Sequence, residues 1–498
     1  FSQVIAIIAS FYENKMKIFY HDFKKYGTVS FMNNTQKRNT FSSSFGFVLA
    51  AAGSAVGLGN IWRFPYLAAK DGGGLFLVIY LILAVTFGFA LLTTEVAIGR
   101  KTKQSPLTAY KNLHEKWGWL GKIACVIPMM IMPYYCVIGG WVLKYAVAFV
   151  TGQGAASAGD SYFTGFITSP LSPIVYTFIF LFISCYIIYR GVKKGIEALS
   201  KILMPVLVVL IVGISIFALT MSHTDDSGAV RTGLGGLKIF VIPDFTGLTL
   251  NSFMITLMDA MGQLFYSLSV AMGIMIAYGS YVPDESNLVK SINRIEIFDT
   301  AVAILAGLMI IPTVFVFMGR EGVNASGPGL MFVAMPKIFA QMGLVGTFVG
   351  ALFFVMVFFA AITSSISILE AVVSSFMDEF GISRRRAVVY EGVLALLLGV
   401  LVCMGYNALY FEFKLPNGVT AQILDIMDYI SNNILMPIVS IGTCVLIGWI
   451  LKPKTVIEEA CKNGEAFFRK NLYIFMVKFA APFLLVVLFL KSLGILNF

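Results

Sequence analysis

Long apolar stretches alternate with short polar ones along most of the chain. Each apolar stretch is about as long as a helix must be to cross the roughly 30 Å hydrocarbon core of a bilayer. The pattern predicts eleven membrane-spanning helices, at 45–69, 75–99, 123–150, 172–190, 199–220, 252–280, 295–318, 344–376, 387–406, 424–451 and 471–496. The expected fold class is therefore an all-α polytopic membrane protein.

Composition and charge agree with a membrane protein. The 498 residues are 58% hydrophobic and 12% charged, and a soluble protein carries about twice that charged fraction. The net charge of +10 reflects where the cations lie. Twenty Lys and Arg lie in alternate loops, at 100–122, 190–201, 282–294, 381–386 and 452–470. Only seven lie in the other loops and at the C-terminal end. Because basic residues favour the cytoplasmic side, we expect a cell (inner) membrane location, a cytoplasmic N-terminus, an outer C-terminus and no nucleic-acid partner.

The N-terminal segment, 1–40, is expected to be a cytoplasmic tail. The chain begins at Phe1, and its short apolar run 4–12 is too short to cross a bilayer. Met32, followed by the polar run NNTQKRNT, is a more ordinary start. Two interpretations of 1–31 stay open: a segment foreign to the native protein, or a genuine tail.

Two of the apolar stretches are interrupted. The first contains AAGSAVGLGNIWRFPY at 51–66, in which glycines, an amide, an arginine and a proline break the apolar pattern. The sixth contains GQLFYSLSVAMG at 262–273. Irregular backbone at membrane depth is tolerated only where protein or a water-filled cavity satisfies it. Interrupted helices at corresponding positions of two halves indicate a transporter built from inverted repeats.

These interrupted segments resemble those of the neurotransmitter:sodium symporters. The segment 53–65 resembles that family's first helix, and 262–273 resembles its sixth. The run 132–135 with Trp141 resembles the third helix, and 358–369 resembles the eighth. The resemblance implies a LeuT-like 5+5 inverted-repeat fold plus one additional helix. Its parts would be a first repeat at 41–220, a second at 250–451, and a loop with the eleventh helix at 452–498.

The resemblance also implies a sodium-coupled amino-acid symporter with particular site residues. The first sodium site would use Ala55, Asn60, Ser267 and Asp299 with the substrate carboxylate. The second would use Gly53, Val56, Ala360, Thr363 and Ser364. Such oxygen donors suit a hard cation. The substrate pocket would comprise Ala55, Leu58, Gly59, Ile131, Tyr135, Tyr266, Ser267, Ser269, Met272 and Ile368. Packing by small polar residues is the alternative interpretation of 363–365.

Three pocket positions bear on the substrate. Monoamine carriers of the family have an aspartate where this chain has Gly57, so an amino acid with its own carboxylate is favoured. Met272 has a flexible thioether that accepts varied apolar shapes, which favours a large hydrophobic or aromatic side chain. Tyr266 replaces a common Phe and adds a hydroxyl near the outer lid, which argues against a large hydrophobic or aromatic side chain.

Charged residues within the membrane are expensive and are candidates for function. The resemblance implies an outer gate of Arg63 and Asp428, in contact directly or through water. It implies an inner latch of Arg38 and Asp378, with Phe41 where the family often has Trp. 

Asp299 and Glu95 are two further acidic candidates. Chloride-dependent relatives have an asparagine at the position of Asp299 and a serine where this chain has Ala303, so we expect no chloride requirement. The alternative is that Asp299 is only a helix N-cap. Glu95 is interpreted as a structural hydrogen-bonding group. The segment between Gly195 and Pro205 either unwinds to release sodium or simply starts a helix.

Other function classes stay open or are excluded. A sodium-dependent sensor, a channel-like protein or a symporter of another small amine would fit the same fold. An intramembrane enzyme is not indicated, because the sequence lacks HExxH, GxSxG and any Cys–His pairing.

Overall fold

The protein was analysed as a computed structural model that describes residues 40–224, 228–323 and 327–496. Arg38 and residues 1–31, on which the sequence makes predictions, lie outside these ranges. Within them the predicted all-α polytopic architecture is confirmed.

Nine helices of the described chain are each long and apolar enough to cross a membrane. Numbered by their order among the eleven predicted spans, they are the second (Gly74–Thr102), third (Glu115–Val150), fourth (Ser172–Tyr189), fifth (Val192–Thr220), seventh (Leu288–Gly322), eighth (Gly343–Phe380), ninth (Arg384–Met404), tenth (Ile423–Ile450) and eleventh (Lys470–Ser492). Several contain a π-helical turn, a local widening that is frequent at functional sites. These turns are Ala84–Gly88, Val192–Glu197, Tyr429–Leu435, Leu446–Ile450 and Met476–Ala480.

The first and sixth spans are broken, as predicted. The first consists of Ser44–Ala55 and Gly59–Lys70, which meet at an angle of 53°. The sixth consists of Leu250–Ser267 and Ile274–Ser280. Ser269 and Ala271 lie in the sixth-span break, with φ of 53° and 66°. This left-handed conformation is unfavourable for residues with a side chain, so other contacts must hold the break open.

The remaining elements lie in the loops. Short helices are Pro106–Leu113, Ala156–Ala158, Tyr162–Ile167, Gly233–Val241, Gly327–Gly329, Leu330–Ala334, Met335–Gln341 and Lys454–Ala460. Two antiparallel strand pairs are Ser222–Thr224 with Val230–Thr232, and Phe413–Lys414 with Thr420–Ala421.

The segment 327–342, between the seventh and eighth spans, packs against the first and third spans. Phe332 of this segment packs edge-on against Trp62 of the first span and Trp141 of the third, with ring centroids 6.2 and 5.8 Å apart. The Tyr145 hydroxyl donates a hydrogen bond to the Phe332 carbonyl at 2.7 Å. The segment therefore lies against the second half of the first span, Gly59–Lys70.

The predicted boundaries are short at several ends. The seventh span begins at Leu288 and not at 295, and the third extends back to Glu115. Polar residues continue these helices beyond the apolar stretch, so hydropathy alone ends them too early. Asp299 consequently lies inside the seventh span. The alternative that Asp299 is a helix N-cap is wrong.

The core that positions the site is formed by a few spans. The third and eighth spans pack extensively against each other, and the first half of the first span, Ser44–Ala55, packs against the seventh and eighth. Trp141, Tyr134 and Phe47 are almost completely buried there. The two breaks therefore lie inside protein, which is where irregular backbone can be satisfied.

Candidate functional site

A cavity lies where the breaks of the first and sixth spans meet. Its lining comes from the first, third, sixth and eighth spans. The lining residues are Ser54, Ala55, Gly57, Gly59, Asn60, Ile131, Tyr135, Tyr266, Ser267, Ser269, Met272, Ser364 and Ile368. The cavity has both polar groups and an apolar wall, as small-molecule sites usually do.

The structure brings together nine of the ten residues predicted for the substrate pocket. Leu58 is the exception, because it is buried without lining the cavity. The role implied for Leu58 belongs to its backbone N–H. Ser54 also lines the cavity and was not predicted. Its hydroxyl donates to the Ser269 hydroxyl at 3.1 Å and so links the two broken spans.

The polar end of the cavity is next to Gly57 and Tyr135. The Tyr135 hydroxyl is buried and has no hydrogen-bond partner among the described residues. A Cβ atom at Gly57 would lie 2.8 Å from the Ser364 hydroxyl and 3.5 Å from the Tyr135 hydroxyl. A buried hydroxyl without a partner is costly, so this end of the cavity is suited to a polar ligand group.

The residues predicted for the first sodium site lie together. The Asn60 amide donates to the Ser267 hydroxyl at 3.1 Å and to Asp299 at 2.9 Å. The Ser267 hydroxyl is 2.6 and 2.8 Å from the two carboxylate oxygens of Asp299. Ala55 lines the adjoining cavity. The set offers amide, hydroxyl and carboxylate oxygens, which are the donors that a hard cation prefers.

The residues predicted for the second sodium site also converge. The Ser364 hydroxyl lies 3.3 Å from the Val56 carbonyl, and the Thr363 hydroxyl lies 3.1 Å from the Ala360 carbonyl. A Cβ atom at Gly53 would lie 3.3 Å from the Thr363 Cβ. Two hydroxyls and several backbone carbonyls thus face one another between the first and eighth spans.

Two polar residues near the first sodium site were missed by the sequence analysis. The Gln263 amide donates to the Gly59 carbonyl at 3.1 Å. The Tyr80 hydroxyl is buried close to Asp299 and Ser267 but lacks a hydrogen bond within the usual distance. Tyr80 lies in an ordinary helical stretch, so no local pattern in the sequence marks it. Gln263 lies within the interrupted segment 262–273, where the sequence analysis gave it no role.

The Glu95 side chain of the second span bonds to the backbone at the break in the sixth span. Its carboxylate accepts a hydrogen bond from the Ala271 backbone N–H at 2.5 Å. Ala271 is one of the two residues in the left-handed conformation. The contact satisfies a donor that the broken helix leaves unpaired, in line with the structural role expected for Glu95.

The two predicted outer gate residues are not in direct contact. Asp428 accepts hydrogen bonds from the Tyr134 hydroxyl at 3.1 Å and from the Asn432 amide at 2.6 Å. Arg63 forms no ion pair with it in the part of the chain described, and acts on it only through space. The Arg63–Asp428 gate stays a prediction.

Of the inner latch, Arg38 lies outside the described residues. Asp378 accepts a hydrogen bond from the Ser105 backbone N–H at 2.7 Å. Phe41 packs edge-on against Tyr278 and Tyr281, with ring centroids 5.7 and 6.2 Å apart. The aromatic residue predicted at the inner gate is therefore packed against the second half of the sixth span, Ile274–Ser280, and its end.

The fifth span opens with the π-helical turn Val192–Glu197 and continues as an α-helix through Pro205. Gly191, just before this turn, has a φ of 84°, a value that favours glycine. The structure thus places an irregular turn at this end, and both interpretations of the segment stay open.

Comparison with known proteins agrees with this geometry. Residues 38–165 and 167–497 match the sodium:neurotransmitter symporter family. An uncharacterized sodium-dependent transporter, YhdH of Bacillus subtilis (strain 168), is 32% identical over 474 residues, which are 93% of this chain and 99% of that protein. The human sodium- and chloride-dependent taurine transporter is 26% identical over 469 residues, 83% of this chain and 72% of that protein.

A solved structure is similar over most of the chain. The crystal structure of MhsT in complex with L-phenylalanine aligns with a TM-score of 0.80 and 34% identity, covering 91% of this chain and 100% of MhsT. The fold class expected from the resemblance is thereby confirmed. With nearly its whole length matched, this chain belongs to the sodium:neurotransmitter symporter family and is a multi-pass, sodium-dependent transporter.

Proposed function

We propose that this transporter imports an amino acid with a large hydrophobic or aromatic side chain, coupled to two sodium ions and without chloride. The observation that carries the proposal is the polar end of the cavity. There the unpartnered Tyr135 hydroxyl faces the space left by Gly57. A substrate carboxylate would fit beside it, close to the oxygen donors of the first sodium site.

The wall of the cavity favours a bulky apolar side chain. Ile131, Met272 and Ile368 line it, and methionine adapts to different shapes. The similar structure of MhsT is described as a complex with L-phenylalanine, which agrees with this class of substrate. Tyr266 contributes a polar group to the same lining and is the residue that would admit a more polar substrate.

Two sodium ions would supply enough energy. Each charge gains about 2.3 kcal/mol from a membrane potential of about 100 mV, and a tenfold sodium gradient adds about 1.4 kcal/mol. Two ions then provide roughly 7 kcal/mol, which supports accumulation of a zwitterion over about five decades.

Independence from chloride is proposed because of Asp299. This carboxylate accepts hydrogen bonds from Asn60 and Ser267, two residues of the first sodium site. A fixed negative charge at this distance can balance the cation, which is the part that chloride would otherwise play. 

The proposed orientation places the N-terminus in the cytoplasm and the C-terminus outside, and the proposed repeats are 41–220 and 250–451. The excess of basic residues in alternate loops supports the orientation. The breaks in the first and sixth spans, at equivalent places of the two repeats, support the repeats.

The test is uptake of labelled tryptophan and leucine by proteoliposomes, with sodium or potassium outside and with chloride replaced by gluconate. Accumulation that needs sodium and ignores chloride is expected. Tyr135→Phe should abolish it, whereas Tyr110→Phe is the matched control, since Tyr110 bonds Thr443 away from the cavity. Sodium-dependent binding without accumulation would indicate a sensor, and conductance without saturable uptake would indicate a channel.

A further inference from the structure

Five basic residues form one exposed surface at the end of the bundle where the fourth span stops and the ninth begins. We call it the basic surface. It consists of Arg190, Lys193, Lys194, Arg385 and Arg386, all of which are exposed. The first three follow the fourth span, and the other two lie in the first turn of the ninth.

The two loops that carry these residues meet in space. The fourth and ninth spans pack against each other. The Arg385 guanidinium lies 5.2 Å from the centre of the Tyr189 ring. A Cβ atom at Gly191 would lie 4.0 Å from the Arg384 Cδ. Residues almost two hundred positions apart in sequence therefore contribute to the same surface.

Seven of the fifteen other basic residues on the predicted cytoplasmic loops have an acidic partner within 4 Å in the described chain. Arg100 lies 2.7 Å from Glu459, Lys103 lies 3.0 Å from Asp284, and Arg469 lies 2.8 Å from Glu296. These ion pairs connect one loop to another, so the positive charges are neutralised within the protein.

The basic surface brings five cations without such a partner into one place. None of its five side chains forms an ion pair within the described ranges. Two buried carboxylates nearby are occupied, because Glu197 pairs with Lys201 at 2.7 Å and Glu370 pairs with Arg384 at 2.5 Å. A third, Glu391 of the ninth span, is completely buried and has no hydrogen-bond partner among the described residues. The preference of basic residues for one side of the membrane explains their presence in these loops. It does not explain why five of them converge without acidic partners.

Exposed apolar residues continue from the basic surface along both spans. On the ninth span, Val389, Val393 and Leu397 follow Arg385 at helical spacing and are 57%, 53% and 58% exposed. On the fourth span, Phe182 and Tyr186 lie on the face that leads to Tyr189 and are 61% and 55% exposed. A ligand here would meet positive charge at one end and hydrocarbon at the other.

We propose that the basic surface binds an anionic phospholipid, with its phosphate among the five cations and its acyl chains along the exposed residues of the fourth and ninth spans. Clusters of Lys and Arg at the end of membrane helices attract anionic headgroups. Arginine is suited to phosphate because its guanidinium donates two parallel hydrogen bonds. The exposed apolar residues favour a phospholipid over free phosphate, because free phosphate has no acyl chains to contact them.

The position of this site connects it to transport. Lys193 and Lys194 belong to the π-helical turn Val192–Glu197 that opens the fifth span. A lipid held by these side chains would restrain that turn. Transport by the wild-type protein should therefore respond to the anionic lipid content of the membrane.

The experiment compares two triple variants of the full-length transporter with equal loss of charge. The test variant carries Lys193→Gln, Arg385→Gln and Arg386→Gln. The matched control carries Lys111→Gln, Lys116→Gln and Lys122→Gln, which are exposed and without ion pairs among the described residues. Retention of phosphatidylglycerol and of phosphatidylcholine by the detergent-purified proteins is measured by native mass spectrometry.

The wild type and the control should retain phosphatidylglycerol over phosphatidylcholine, and the test variant should lose affinity for it by tenfold to about a hundredfold at low salt. Uptake by the wild type and by the control should change with the phosphatidylglycerol content of the vesicles. Uptake by the test variant should not. Equal retention by both triple variants would overturn the proposal. Displacement of the lipid by glycerophosphate alone would overturn the choice of a lipid over a soluble phosphate.

Discussion

The side-chain amide of Asn60, at the break in the first span, donates a hydrogen bond of 2.9 Å to the carboxylate of Asp299 in the seventh span. Ser267, at the break in the sixth span, donates to the same carboxylate. Three spans are thus joined through one buried charge. This carboxylate therefore lies beside the proposed first sodium site, where a bound cation would contact it.

Asp299→Asn should convert the transporter to chloride dependence. The substitution keeps the size of the side chain but removes the negative charge that balances sodium. Uptake in gluconate should fall by about tenfold or more, since an uncompensated charge in a low-dielectric site costs well over 1.4 kcal/mol. Chloride should restore part of it. Full uptake by the variant in gluconate would contradict the role given to Asp299.

Gly57→Ala should weaken binding of the amino acid. The added Cβ would lie 2.8 Å from the Ser364 hydroxyl, so Ser364 or the first-span break must shift, at a cost of about 1 to 3 kcal/mol. The KM for uptake should rise by about tenfold. Gly213→Ala is the control, because nothing lies within 4 Å of the atom it adds. A KM that stays unchanged in both variants would show that the space at Gly57 is not needed.

Glu95→Ala should destabilise the protein by about 1 to 3 kcal/mol, because it leaves the Ala271 N–H buried without an acceptor. Glu95→Gln keeps an acceptor oxygen and should retain most of the stability. Thermal unfolding of the two purified variants in detergent measures the difference. If the two lose the same stability, the negative charge of Glu95 matters and the hydrogen bond does not.

Asp71, just after the first span, should make stability depend on pH. Burial and then the negative charge of Asp259 raise the pKa of Asp71 to about 7, against about 3.9 in an unfolded chain. The folded protein therefore binds this proton more tightly. The stabilising contribution is complete below about pH 4 and is lost as the pH rises through about 7.

The comparison that isolates this effect is with Asp71→Asn. Relative to the variant, the wild type should lose on the order of 1 kcal/mol between about pH 5 and about pH 8. Unfolding midpoints at the two pH values test it. A constant difference between wild type and variant would mean that Asp71 is already ionised at the lower pH.

Much of the architecture could be predicted because its signals are local. An apolar stretch of sufficient length specifies a membrane helix, and the glycines and polar residues around Gly57 and Ser269 mark the breaks. Most residues that the motifs assign to the substrate pocket also line the cavity, including Tyr135, Met272 and Ile368. Helix ends were less predictable, because a helix continues into polar residues wherever its backbone hydrogen bonds can be made.

The sequence by itself determined the membrane class, the positions of the spans and the two interruptions, since these depend on neighbouring residues along the chain. Only the tertiary structure decided which polar groups meet. Asp299 accepts a hydrogen bond from Asn60, and Glu95 accepts one from the Ala271 N–H. Asp428 accepts hydrogen bonds from Tyr134 and Asn432 and does not contact Arg63. Most of these partners are more than a hundred residues apart, and a buried polar group pairs with whatever donor the packing of helices brings within about 3 Å.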